Sequence, residues 1–207
     1  VTMPNNNVSG PVPATIVNMN ALKEFDIASN DVTSIPDFTG LSALTTLDVS
    51  GNSLDFGSLE SNAALLGVNY VNQSAVADSS YNEIPVHSDT TLTIPVSGSN
   101  NIYQWKFRGL ADLTYSNIGT NSDTYDLVSI DKTSMGDYIL EITNPMVPGL
   151  VLTSYKQRVF ATADIAGTLF ENNNLFATAG KMRLLQVTST GSYDTIRIQN
   201  VNNADGT

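Results

Sequence analysis

The chain has 207 residues, with 9 Lys and Arg against 20 Asp and Glu, for a formal net charge of -11. That balance repels phosphate, so neither nucleic acid nor an anionic membrane surface is expected as a partner. The absence of cysteine and the single histidine, His87, exclude thiol catalysis, disulfides, and thiolate or multi-histidine metal centres, and no cofactor is expected.

No apolar run approaches the roughly 18 residues that span a bilayer, so no direct membrane insertion is expected in this segment. No basic stretch followed by an apolar one opens the chain, and the expected reading is a mature, soluble and incomplete polypeptide. Turn formers interrupt the apolar residues every few positions, a texture of short strands that points to a mainly β fold. The length fits one or two domains, or three small modules.

From the first residue the sequence repeats. Leu22, Phe25, Ile27, Asn30 and Val32 recur as Leu44, Leu47, Val49, Asn52 and Leu54, each pair 22 positions apart. Val1, Met3, Asn6 and Val8 form the second half of an earlier copy, and Leu65, Val68 and Tyr70 open a degraded fourth with Gln73 in the asparagine slot. In such a plan the apolar slots stack between coils, and an inward asparagine satisfies backbone groups left unpaired by the turn. The spacing L-x-x-L-x-L-x-x-N-x-L resembles the leucine-rich-repeat family, and Asn6 to Pro13 resembles its N-x-L-S-G-x-I-P variant. The resemblance implies the C-terminal end of a solenoid over 1–74, followed by a linker over 75–84.

One outward residue lies between the apolar slots of each repeat strand, giving the row Thr2, Asp26, Asp48 and Asn69. With strands about 4.8 Å apart, Asp26 and Asp48 become neighbours that repel unless a cation or a basic partner group joins them. Together with Glu24 they form the candidate partner-binding surface, although aspartate in this slot is equally a common solvated residue. The same pair approximates the short separation of a retaining glycosidase, but an open solenoid face supplies no pocket that excludes water.

From Ser80 the period changes to alternation: Leu92, Ile94 and Val96, then Tyr103, Trp105 and Phe107, Tyr125 and Leu127, and Tyr138, Leu140 and Ile142. The tryptophan in YQWKF followed by MGDYILEITN resembles the immunoglobulin pattern, which implies an immunoglobulin-like sandwich over 85–162. The resemblance makes Trp105 the central core residue and Tyr138 the corner tyrosine, and it puts aliphatic residues, near Ile94 and at Leu140, where relatives carry cysteines. Losing a disulfide typically costs about 2–5 kcal/mol, whereas burying two aliphatic side chains returns roughly 1.5–3 kcal/mol each. Of the remaining aromatics, Tyr115 is the one favoured for a partner contact, with Tyr103 and Tyr125 uncommitted.

After Phe160 the alternation restarts with Ile165, Gly167 and Leu169, then Met182, Leu184 and Val187, then Tyr193, Ile196 and Ile198, ending in NNADGT. This resembles the opening of a prealbumin-like or Sdr-type β domain and implies a partial third domain over 163–207. The expected architecture is thus a mainly β, multidomain fragment: the end of a leucine-rich-repeat solenoid, an immunoglobulin-like β-sandwich and a partial third β domain.

His87, Ser88 and Asp89 are adjacent in sequence and point to alternating directions, so they are read as a solvated turn rather than a triad. The sequence has no nucleophile elbow and no phosphate or dinucleotide loop, and the run around Asp205 falls short of an EF-hand. Asn7-Val8-Ser9 and Asn72-Gln73-Ser74 fit the N-glycosylation acceptor. Asp89-Thr90-Thr91 and Asp194-Thr195-Ile196 resemble a bacterial O-glycosylation pattern. The resemblances together imply a non-enzymatic bacterial adhesion scaffold. It would be extracellular or at the cell surface, associated with a Gram-negative outer membrane, and would contact other surface proteins. A structural subunit of an outer-surface complex, and a carbohydrate-binding accessory region that would make a glycan the partner, are the alternatives.

Overall fold

Phe25, Leu47 and Val68 stand opposite one another on three parallel strands, and that alignment organises the first third of the chain. The computed structural model describes residues 1–165 together with 169–171, 174–177 and 182–184. Its opening elements are β1 (Ser9–Pro11), β2 (Glu24–Asp26), β3 (Asp31–Ser34), β4 (Thr46–Asp48), the short helix α1 (Phe56–Leu59) and β5 (Val68–Asn69). Strands β2, β4 and β5 form one parallel ladder, extended by a bridge from Thr2 to Asp26, while β1 and β3 form a second. Leu22, Phe25, Ile27, Val32, Leu47 and Val49 are buried between the coils, and the rings of Phe25 and Phe38 lie 5.2 Å apart.

The asparagine slots explain why coils so short hold their shape. Asn52, fully buried, donates through Nδ2 to the carbonyls of Ile27 and Val49, both at 3.0 Å, and accepts from Val32 N through Oδ1 at 3.0 Å. Asn30 makes the same set one coil earlier, to Met3 O and Ile27 O and from Val8 N. Each side chain thereby ties backbone groups of two successive coils together, and neighbouring slots share an acceptor, Ile27 O taking a bond from both Asn30 and Asn52. Asn62, also buried, does comparable work beyond α1, accepting from Phe38 N and donating to Pro36 O. Gly67 turns the chain into β5 at φ +67°, and a Cβ there would sit 2.5 Å from Thr45 O, so the position accepts only glycine without distortion.

The second part comprises β6 (Ser80–Pro85), β7 (Thr90–Thr93), β8 (Ile102–Gly109), β9 (Ser116–Ile118), β10 (Thr124–Leu127), β11 (Gly136–Thr143), β12 (Val151–Thr153) and β13 (Gln157–Ile165). Strands β7 and β10 pair antiparallel, and the larger sheet runs β13-β11-β8-β9, with β12 on β11 and β6 parallel to β13. Their inward residues meet around Trp105, which is fully buried, donates Nε1–H to Ser122 O at 2.9 Å and packs its ring 5.9 Å from Tyr125. Ile94 and Leu140 are both buried, and Leu140 is the register partner of Trp105. Tyr138 donates its hydroxyl to Ser134 O at 2.8 Å, the back-bond expected of a corner tyrosine, and burial pushes its phenol well above the ordinary range.

The structure differs from the sequence expectation at two boundaries. Residues 75–84, expected as a linker, hold most of β6, whose backbone pairs with Gln157–Thr162, and Val76 forms a parallel bridge with Ser154. The polar composition of Ser80, Asn82 and Glu83 hides a strand stabilised by its backbone partner. Strand β13 continues to Ile165, across the expected end of the sandwich at 162, and pairs with β16 (Met182–Leu184), while β14 (Leu169–Glu171) pairs with β15 (Asn174–Ala177). The rest of the expected third domain, including Tyr193, Ile196, Ile198 and the closing NNADGT, lies outside the described residues.

Candidate functional site

The register of the parallel ladder aligns Thr2 with Asp26, Asp26 with Asp48, and Asp48 with Asn69. Glu24 lies beside this row, opposite Thr46, and is exposed. Lys23 is the only basic residue in 1–74, so this face has an acidic field with little internal compensation.

The two aspartates do more than face solvent. Asp26 Oδ1 accepts from Ala28 N at 3.0 Å and Asp48 Oδ1 from Ser50 N at 3.0 Å, so each carboxylate closes the turn that ends its strand. Asp48 also accepts from Ser50 Oγ at 2.7 Å and, through Oδ2, from Asn69 Nδ2 at 2.9 Å. Partial burial alone would raise its carboxyl pKa, but the bonds from Ser50 and Asn69 outweigh it and hold the group below the ordinary carboxylate range. Asp26 Oδ2 and the Glu24 carboxylate accept no hydrogen bond among the described residues.

A glycosidase acid needs a raised pKa, and Asp48 is shifted the other way. An open cleft of about 570 Å³ is lined by Val1, Met19, Leu22 and Glu24, beside the row rather than over the aspartate pair. His87, Ser88 and Asp89 do not converge: Ser88 Oγ donates to Pro85 O, and Asp89 Oδ1 accepts from Ser129 N at 2.7 Å. Among the described residues no group of three His, Asp or Glu is placed to hold a metal ion, and no helix is long and apolar enough to cross a membrane.

On the outer face of the large sheet lies a cluster that sequence reading missed. Asp137, 2% exposed, accepts from Arg108 Nη2 at 2.7 Å and from Arg158 Nε and Nη2 at 2.6 and 2.8 Å. The Arg158 bonds, reinforced by Arg108, overcome the cost of burial and hold the Asp137 carboxyl at about 2. Tyr115, favoured from sequence as a contact residue, instead lies half-buried under the Arg108 guanidinium, 4.8 Å from charge to ring centre. Alternation puts Asp137 on the face opposite Tyr138, which was readable, but the cross-strand register that joins it to both arginines was not.

No protein-family model matches the chain, and no curated protein sequence matches it. Among solved structures, it is similar to the N-terminal four Ig domains of Dscam1 isoform 6.9, at 12% identity and a TM-score of 0.36 over 48% of this chain and 28% of that one. It is also similar to the N-terminal four Ig domains of Dscam1 isoform 8.4, at 9% identity and a TM-score of 0.38 over 59% and 42%. The N-terminal eight Ig domains of DSCAM isoform 1.30.30 give 13% identity and a TM-score of 0.35 over 60% and 24%. The chain spans less than half the length of each, and likeness this slight defines neither fold class nor function.

Proposed function

We propose that this chain is a non-enzymatic extracellular scaffold of a bacterial surface protein, and that it contacts other proteins through the face bearing Glu24, Asp26 and Asp48. In this reading the coils of 1–74 are the end of a leucine-rich-repeat array, and the β-sandwich that follows is an immunoglobulin-like spacer. The observation that carries the reading is the alignment of Asp26 beside Asp48, with Glu24 at the same edge, on an open ladder with one nearby lysine. A surface of this kind suits a basic protein partner: it steers encounter and rejects other acidic surfaces.

The test is affinity purification of the native protein from its own cell envelope, beside a variant carrying Glu24→Gln, Asp26→Asn and Asp48→Asn. A protein that co-elutes in stoichiometric amount with the native chain and is lost from the variant supports the reading. Equal retention by both would remove the acidic face from it. A partner set that resists salt and survives the substitutions would favour a permanently docked structural subunit.

A further inference from the structure

The carboxylate of Glu60, just past α1, receives four hydrogen bonds from the β-sandwich. Oε1 accepts from Ser99 N at 2.7 Å, Asn100 N at 3.2 Å and Asn144 Nδ2 at 2.6 Å, and Oε2 accepts from Ser99 Oγ at 2.8 Å. Ser99 and Asn100 lie in the loop between β7 and β8, and Asn144 follows β11, so one side chain ties two separate loops to the coils. Hydrogen bonds to an ionised acceptor are shorter and about twice as strong as neutral ones.

The surroundings of this carboxylate are fitted to it. Asp55 Oδ2 accepts from Ser97 Oγ at 2.6 Å, and Gly57 N donates to Ser97 O at 3.0 Å. A Cβ on Gly57 would stand 2.0 Å from Ser97 Oγ, so the helix and the loop touch backbone to side chain with no room between them. Asn144 is buried, and its Nδ2 also donates to Asn101 Oδ1 at 2.9 Å. A second attachment lies along the connection itself: Tyr70 Oη donates to Pro148 O at 2.9 Å, Val76 N to Thr153 O at 3.0 Å and Tyr155 N to Val76 O at 3.1 Å.

Two parts of a chain joined by a single connection move relative to one another by default. Here a second tie, remote from the connection in sequence, opposes that motion. We propose that Glu60 is a latch that fixes the angle between the coils and the sandwich, so that the two move as one rigid body and the acidic row is held at a constant orientation to the large sheet. The latch is independent of what the acidic row binds.

The test uses the whole chain with Glu60→Gln, which keeps the shape of the side chain but turns an amide N–H toward donors. Hydrogen exchange read by mass spectrometry is expected to rise at least fivefold in 56–63, 97–101 and 144–149, while 103–107 and 139–142, in the centres of β8 and β11, stay at their native rate. Small-angle scattering is expected to show a broadened distribution of maximum dimension. Ser99→Ala, exposed and outside both cores, removes one donor and is expected to give the same pattern at smaller amplitude. Unchanged exchange and scattering in both variants would overturn the latch. So would a uniform rise that includes β8 and β11 in both variants, because Glu60 would then act only on global stability.

Discussion

Gln73 repeats, one coil on, the hydrogen bonds made by Asn52. Its Nε2 donates to Val49 O at 3.0 Å and Tyr70 O at 2.9 Å, as Asn52 Nδ2 does to Ile27 O and Val49 O, and its Oε1 accepts from Leu54 N at 2.9 Å as Asn52 Oδ1 does from Val32 N. The residue that looked like decay of the repeat therefore performs the slot's task with a longer arm.

Replacing Asn52 by Ala leaves Val32 N without its acceptor in the core of the coils, while Ile27 O keeps the bond from Asn30 and Val49 O the bond from Gln73. At about 1–3 kcal/mol for one unsatisfied buried group, the expected loss is about 2 kcal/mol. Gln73→Ala, at a half-buried site, is expected to cost about 1–2 kcal/mol. Urea denaturation followed by far-ultraviolet circular dichroism measures both, and losses below about 0.5 kcal/mol at both positions would show that the slots are not structural.

Tyr138→Phe keeps the ring, which lies 4.7 Å from Phe107 and 5.8 Å from Tyr125, and removes only the bond to Ser134 O. The expected cost is about 1 kcal/mol, seen as a lower urea midpoint with an unchanged slope when Trp105 fluorescence is followed.

The Asp137 cluster sets an acid limit. Its carboxyl is held at about 2 in the folded protein and titrates near 3.8 when unfolded. A depressed folded pKa gives stability that is fully present above the unfolded value and is lost as pH falls through the folded one. Between about pH 4 and pH 2 this residue is therefore expected to withdraw about 2 kcal/mol. Asp137→Asn is expected to be less stable at pH 7, because Arg108 and Arg158 lose their counter-charge, and to show a flatter stability profile over that interval. Denaturation midpoints at half-unit steps of pH check the sign.

Much of this was legible in the sequence because it depends on residues close together or strictly periodic. The apolar and asparagine slots and the row from Thr2 to Asn69 follow from spacing along the chain, whereas the buried Trp105 and the Tyr138 corner bond were expected from the resemblance to the immunoglobulin pattern. What was not legible depends on long-range partners. β6 was read as linker because its polar side chains give no apolar alternation, and its pairing with β13 spans more than 70 residues. Nothing in the sequence marks Glu60, because its donors at Ser99, Asn100 and Asn144 lie 39, 40 and 84 residues away. Tyr115 was favoured for a partner contact from its place in a polar stretch, and the spacing gives no sign that the Arg108 guanidinium lies over its ring.

If the coil face carrying Glu24, Asp26 and Asp48 meets a protein partner, its carboxylates are shielded in the native envelope. Carbodiimide labelling of carboxylates in the native envelope assembly and in the purified chain, read residue by residue in a mass spectrometer, measures that shielding. Glu24 and Asp26 are expected to be shielded in the assembly relative to the free protein, with the exposed Asp112 and Asp126 on the sandwich labelled equally in both. Unchanged labelling of Glu24 and Asp26, with shielding elsewhere, would contradict it.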